Sequence, residues 1–227
     1  MRRIRNNQTM SRREAFSLIE MLVLVAVGGL LAGLVLADLS QDRSKAQQEA
    51  CANNLKQWGT VFQMYAHDYN SAIMIYYRGQ TNYVPTWYST HGVYGRYWST
   101  NRIANAASEA AMIQAKICPA VQSTNAPMDR TVPTYSMIRP EPATADFRGF
   151  FLKEVKQPSE LLLMVDSVPT NSQAYIGGNG GSVGDVIAAT ARHSGGVNLL
   201  FCDFHVEWKS GAEVQTNFTK WTTYGSP

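Results

Sequence analysis

An apolar stretch from Phe16 to Leu36, with Glu20 as its one charged residue, limits what this chain can fold into more than any other feature. As a helix it is long enough for a hydrocarbon core of about 30 Å. A carboxylate inside such a run costs about 2.5–3.5 kcal/mol at mid-depth, so Glu20 requires a specific partner or a place at the interface. Arg2, Arg3, Arg5, Arg12 and Arg13 precede the stretch, whereas Asp38 and Asp42 follow it before any base. By the positive-inside rule this asymmetry predicts a single-pass anchor with a cytoplasmic N-terminus and all later residues on the far side.

Two other readings fit parts of the same segment. A secretory signal would be cut after Val35-Leu36-Ala37, ahead of Asp38, and Ser11-Arg12-Arg13 hints at a twin-arginine signal. The length of the apolar run and the carboxylate inside it weigh against both.

The run Arg12-Arg13-Glu14-Ala15-Phe16-Ser17-Leu18-Ile19-Glu20-Met21-Leu22 resembles the processing signature of type IV prepilins and type II secretion pseudopilins. The resemblance implies cleavage by a prepilin peptidase between Ala15 and Phe16, and N-methylation of the new terminal Phe16. The family usually carries Gly where this chain has Ala15. It also implies that Glu20 pairs, in an assembled filament, with the amine of a neighbouring subunit. Removing one member of such a buried pair costs several kcal/mol, so Glu20 would set register between subunits. On this reading the protein sits in the inner membrane, with its head in the periplasm or on a surface filament.

The charge balance agrees with a discarded leader. Five arginines and one glutamate up to Ala15 give that segment a net +4, so the whole chain's +3 leaves −1 for the remainder. Nucleic-acid binding therefore has no compositional support, because phosphate recognition needs clustered Lys and Arg on the folded part.

Beyond Asp38, Leu55, Trp58, Phe62, Tyr65 and Tyr69 recur at spacings of 3, 4, 3 and 4, with Ala46 and Cys51 continuing the face backward. This periodicity predicts an amphipathic helix running on from the apolar one without a break. Together they would form a rod of about 80 Å at 1.5 Å per residue. The expected fold class is α+β and pilin-like: a long N-terminal helix, membrane half plus amphipathic half, packed on a small antiparallel β-sheet head. The expected segments are 1–15 as leader, 16–37 as membrane half, 38–70 as amphipathic half and 71–227 as one globular head. Gly29 and Gly33, four apart, suit close approach of helix backbones, as do Gly28 and Ala32.

Cys51, Asn54, Leu55, Lys56 and Gln57, followed by Met64-Tyr65-Ala66, resemble a pseudopilin-like subset marked by a C-terminal pattern of His, nine residues and Asp-Gly. In the C-terminal part His193 and Asp203 reproduce that spacing, with Phe204 in place of Gly. Alternation puts Val197, Leu199 and Phe201 on one face of a strand, and Val206 with Trp208 inward on a returning one. The turn near Asp203 should be longer than the two-residue Asp-Gly type, because Phe204 resists positive φ.

Candidate chemistry is thin. Cys51, Cys118 and Cys202 allow one disulfide; Cys51 with Cys118 is the expected pair, because Cys202 lies in an apolar run where a buried thiol behaves as a small hydrophobe. Asp203, His205 and Glu207 share a strand face and are weak metal candidates. The resemblance admits Ca2+, which some pseudopilins bind through acids of the head, but no dense acidic loop is present here and no cofactor is expected. An extended strand would hold His193 about 33 Å from Asp203, which excludes a dyad unless Gly195 and Gly196 fold the chain back. The chain reads as no enzyme but as a structural pseudopilin or pilin-like subunit, with prepilin peptidase and other pilin subunits as partners. The alternative is a secreted or anchored module binding glycans through the aromatic segment Tyr76 to Trp98.

Overall fold

The structure, a computed structural model, describes residues 17–77, 87, 94–98, 106–122, 133–138, 147–168, 175–176 and 183–223. The expected cut at Ala15–Phe16 and most of the aromatic segment lie outside these residues. Two compact units are present, Met1–Asp42 and Arg43–Pro227.

Helix α1 (Leu18–Asp68) begins in the first unit. Its start has a reciprocal cap: Ser17 Oγ accepts from the Ile19 N–H (3.4 Å), and Glu20 Oε2 accepts from the Ser17 N–H (3.0 Å). Such caps satisfy donors that the first helical turn leaves without partners. The expected membrane half requires correction. Within this helix the part of the apolar run whose side-chain exposure is described, Leu18–Leu31, holds Glu20 and two glycines and is shorter than the roughly 20 residues of a span. Among the described residues no helix is long and apolar enough to cross a membrane. The expected single-pass inner-membrane placement is therefore not supported.

The pilin-like packing is corrected as well. Leu18–Leu31 is exposed rather than laid on a sheet, and the class is α+β with two sheets. In the second unit, β1 (Ala72–Tyr77) pairs with β3 (Phe147–Phe151). The larger sheet comprises β2 (Tyr135–Ile138), β4 (Leu162–Asp166), β5 (Tyr175–Ile176), β6 (Gly196–Phe201) and β7 (Val206–Ser210), in the order β5-β2-β4-β6-β7. It is mixed, because β2 and β5 run parallel while its other pairs are antiparallel. Helices α2 (Ala106–Ala115) and α3 (Pro119–Gln122) flank Cys118.

Helix covers both faces of this sheet. On one face Cys51, Leu55, Trp58, Phe62 and Tyr65 of α1 join Tyr135, Met137, Leu163 and Leu200 in a single core. Trp87, Tyr94 and Tyr97 are buried in the same core, so they are packing residues and not a sugar platform. On the other face Val197, Leu199 and Phe201 meet α4 (Val183–Ala189) and α5 (Gly211–Thr222) through Val186, Val214 and Trp221. The β6 alternation read from sequence matches this division. The inward placement of Trp208 does not: it lies on an edge strand and is 37% exposed.

Sequence reasoning missed α5, although Ser210-x-x-Glu213 announces it. Ser210 Oγ accepts from the Glu213 N–H, and Glu213 Oε2 accepts from the Ser210 N–H. The Ser210 hydroxyl first, and its backbone N–H second, hold the Glu213 carboxyl below its ordinary range.

The β6–β7 turn explains the glycine at the subset's motif. Phe201 O accepts from the Phe204 N–H, and His205 O accepts from the Phe201 N–H, giving a three-residue loop with Phe204 at φ 71°. Gly is favoured at this left-handed position of three-residue hairpins, where an L side chain costs about 1–2 kcal/mol. Phe204 offsets that cost by packing its side chain against the core, with its Cβ beside Gly59. Phe204→Ala is therefore expected to be the less stable variant, and Phe204→Gly to exceed it by about 1 kcal/mol in urea titrations. Equal stability of the two would refute left-handed strain at this residue.

Candidate functional site

Four elements converge on one buried point. Cys51 comes from α1, Cys118 from the bend between α2 and α3, Asp166 from the end of β4, and His193 from the turn that leads into β6. Cys51 and Cys118 are joined by a disulfide. All four residues are wholly buried.

His193 reaches this point because the chain reverses after it. Ser194 and Gly195 adopt positive φ (56° and 86°), and the Gly196 N–H donates back to His193 O. Gly196 must be glycine: a Cβ there would lie 2.3 Å from the Trp208 ring and 2.4 Å from Lys209 O. The Trp208 indole N–H also donates to His193 O (3.2 Å).

His193 Nε2 lies 3.2 Å from Asp166 Oδ2 and 3.3 Å from Cys118 Sγ. Asp166 Oδ2 accepts in addition from the Asn198 backbone N–H (3.2 Å) and the Asn198 side-chain amide (3.1 Å). The same amide donates to Gln48 O on α1. Tyr135 donates its hydroxyl proton to Cys51 O and accepts from the Asn54 amide. Burial pushes the Tyr135 phenol well above its ordinary range, with the Asp166 carboxylate adding to the effect. Burial lowers the Arg192 guanidinium, and Asp166 opposes that shift. Arg192 donates to Ser167 O, the backbone next to Asp166.

Two atoms are anomalous. Asp166 Oδ1 and His193 Nδ1 are buried with no hydrogen-bond partner among the described residues. Leaving such groups unpaired costs about 1–3 kcal/mol each.

The subset's motif pair does not come together. His193 and Asp203 lie at opposite ends of β6, and the reversal at Gly195 brings His193 to Asp166 instead. Asp203 Oδ1 lies 2.5 Å from His205 Nδ1, and Glu207 Oε2 lies 3.9 Å from His205 Nε2. These three weak metal candidates do share a face, but Glu207 is also held by Lys209 Nζ at 2.7 Å, a cation that opposes metal binding. Of the other motif residues, Asn54 donates to Ile117 O and Tyr135, Leu55 fills the core, and Lys56 and Gln57 are exposed. Cys202 is a buried free thiol, raised far above its ordinary range by burial.

Asp166, Asn198 and Arg192 escaped sequence reasoning. One signal was available: an acid closing the apolar run Leu161–Val165 must be buried with partners or end the strand at solvent.

Among the described residues, the ligand atoms of Cys51, Cys118, Asp166 and His193 lie within 4.8 Å of one another and could hold a metal ion. In comparisons with known proteins, no family model, no curated protein and no solved structure matches this chain.

Proposed function

We propose that this chain is a structural subunit of the pilin and pseudopilin type, processed by a prepilin peptidase before Phe16 and assembled with further copies into a type II secretion or type IV pilus-like filament. The observation that carries this reading is the start of α1. Ten large apolar side chains between Leu18 and Leu31 are 49–89% exposed. They occur on all sides of the helix, and a helix apolar all round is stable only when surrounded. Neighbouring copies of the same segment supply such surroundings. A Cβ at Gly28, Gly29 or Gly33 would meet nothing within 4 Å in this chain, so their smallness is left for an approaching backbone. A non-catalytic role also accords with the burial of His193 and Asp166, which touch no substrate from the interior.

Glu20 tests the reading. Its carboxylate caps its own helix, and glutamine accepts the same hydrogen bond from Ser17. Glu20→Gln thus keeps the cap and removes only the charge that would meet a neighbour's terminal amine. In cells, the wild-type chain should be recovered in sheared filaments with a mature N-terminus at methylated Phe16. Glu20→Gln should be cut at the same bond, yet reduce filament recovery by roughly tenfold or more, as expected when one member of a desolvated ion pair is lost. Filaments unchanged by Glu20→Gln, or a mature start elsewhere, would remove the reading.

A further inference from the structure

We propose that the junction of Cys51, Cys118, Asp166 and His193 has two alternative closed states: the disulfide, and a zinc-class metal centre formed when the two cysteines are reduced as the chain folds. The ligands would be the two sulfurs, His193 Nε2 and Asp166 Oδ2.

Geometry supports this first. Ligands at about 2.0–2.3 Å from a tetrahedral ion stand about 3.3–3.8 Å from each other. The Nε2–Oδ2 and Nε2–Sγ separations of 3.2 and 3.3 Å already fall close to those edges. The two sulfurs have to part from covalent contact, and the remaining ligand separations are all within 4.8 Å.

Donor chemistry follows. Two thiolates and an imidazole favour Zn2+ over the hard, oxygen-preferring cations. Two thiolates and the carboxylate carry three negative charges against the ion's two positive ones, and the Arg192 guanidinium beside Asp166 stands ready to balance the remainder. The surroundings resemble those of a metal site: Asn198 fixes the carboxylate with two hydrogen bonds, and the Cys118 N–H donates to Thr134 Oγ1 at 2.6 Å.

The redox balance is closed. Metal binding to the dithiol releases two thiol protons. In the alternative branch, the free dithiol exchanges during folding with a disulfide-bearing oxidant, forming the Cys51–Cys118 bond and reducing that oxidant to two thiols. Because the sulfurs are wholly buried, the choice between states falls during folding and not afterwards.

The test is to refold the full chain from denaturant under a phosphine reductant, with Co2+ and then Zn2+, and to remove free ion by gel filtration. The reduced chain should keep one ion, show the thiolate-to-cobalt charge-transfer absorption, and lose that absorption when Zn2+ displaces Co2+. The oxidised chain should keep none. Asp166→Asn should weaken retention roughly tenfold or more, and Cys202→Ala should leave it unchanged. A reduced chain that folds but keeps no ion, retention that survives Cys51→Ala with Cys118→Ala, or failure of the reduced chain to fold with metal present would each overturn the proposal.

Discussion

Trp58→Ala is expected to lower stability by about 3–5 kcal/mol, the range for emptying a fully buried aromatic site. Trp58 is wholly buried on the face of α1 that meets the sheet, and its ring packs edge-on against Trp87 and Trp98, each with centroids 4.8 Å away. Its indole N–H donates to Ala115 O at the end of α2. Truncation therefore leaves a cavity between three elements and a buried carbonyl without its donor. Thermal unfolding followed by circular dichroism should shift down by about 10 °C, given roughly 2–4 °C per kcal/mol for a domain of this size. Trp58→Phe, which keeps most of the ring but not the N–H, should lose about half as much. A shift below about 3 °C for Trp58→Ala would show that α1 does not anchor this core.

The second large effect is expected from Cys51→Ala with Cys118→Ala. The bridge spans a sequence separation of 67, and the chain-entropy model assigns a loop of that size about 4 kcal/mol. Guanidinium titration of the double variant in metal-free buffer should show that loss as a lower midpoint. A loss under about 1 kcal/mol would mean that the packing of α1 on the sheet already restrains the two ends. The single variants should be no more stable than the double one, since each leaves a buried thiol facing His193.

Legibility of the fold divides along sequence distance. The face of Cys51, Leu55, Trp58, Phe62 and Tyr65 was readable because helical period is local, and all five residues are buried. Tyr69 continues the period but is 43% exposed, because α1 ends at Asp68 and the chain turns away at Asn70 and Ser71, both at positive φ. The β6–β7 hairpin was readable for the same local reason. Asp166 was not, since its meeting with His193 depends on β4 lying beside β6, and strand order has no local signature. The motif spacing even pointed the wrong way: nine residues measure the length of β6 and its turns, so His193 and Asp203 are held apart by the strand between them. The apolar N-terminal stretch misled in another manner. Composition indicated that it must be covered by something apolar, but not whether lipid or protein does the covering.

The order β5-β2-β4-β6-β7 has a consequence for how the second unit behaves when copies are crowded together. A sheet grows by strand addition only where a long, unencumbered edge offers its backbone. Here one edge is β5, two residues long, and the other is β7, which carries the Glu207–Lys209 ion pair on its exposed surface. Helices occupy both faces. Among the described residues, fibrillar addition of strands is thereby discouraged at both edges and both faces of this five-stranded sheet, which favours helical surfaces for any contact between copies.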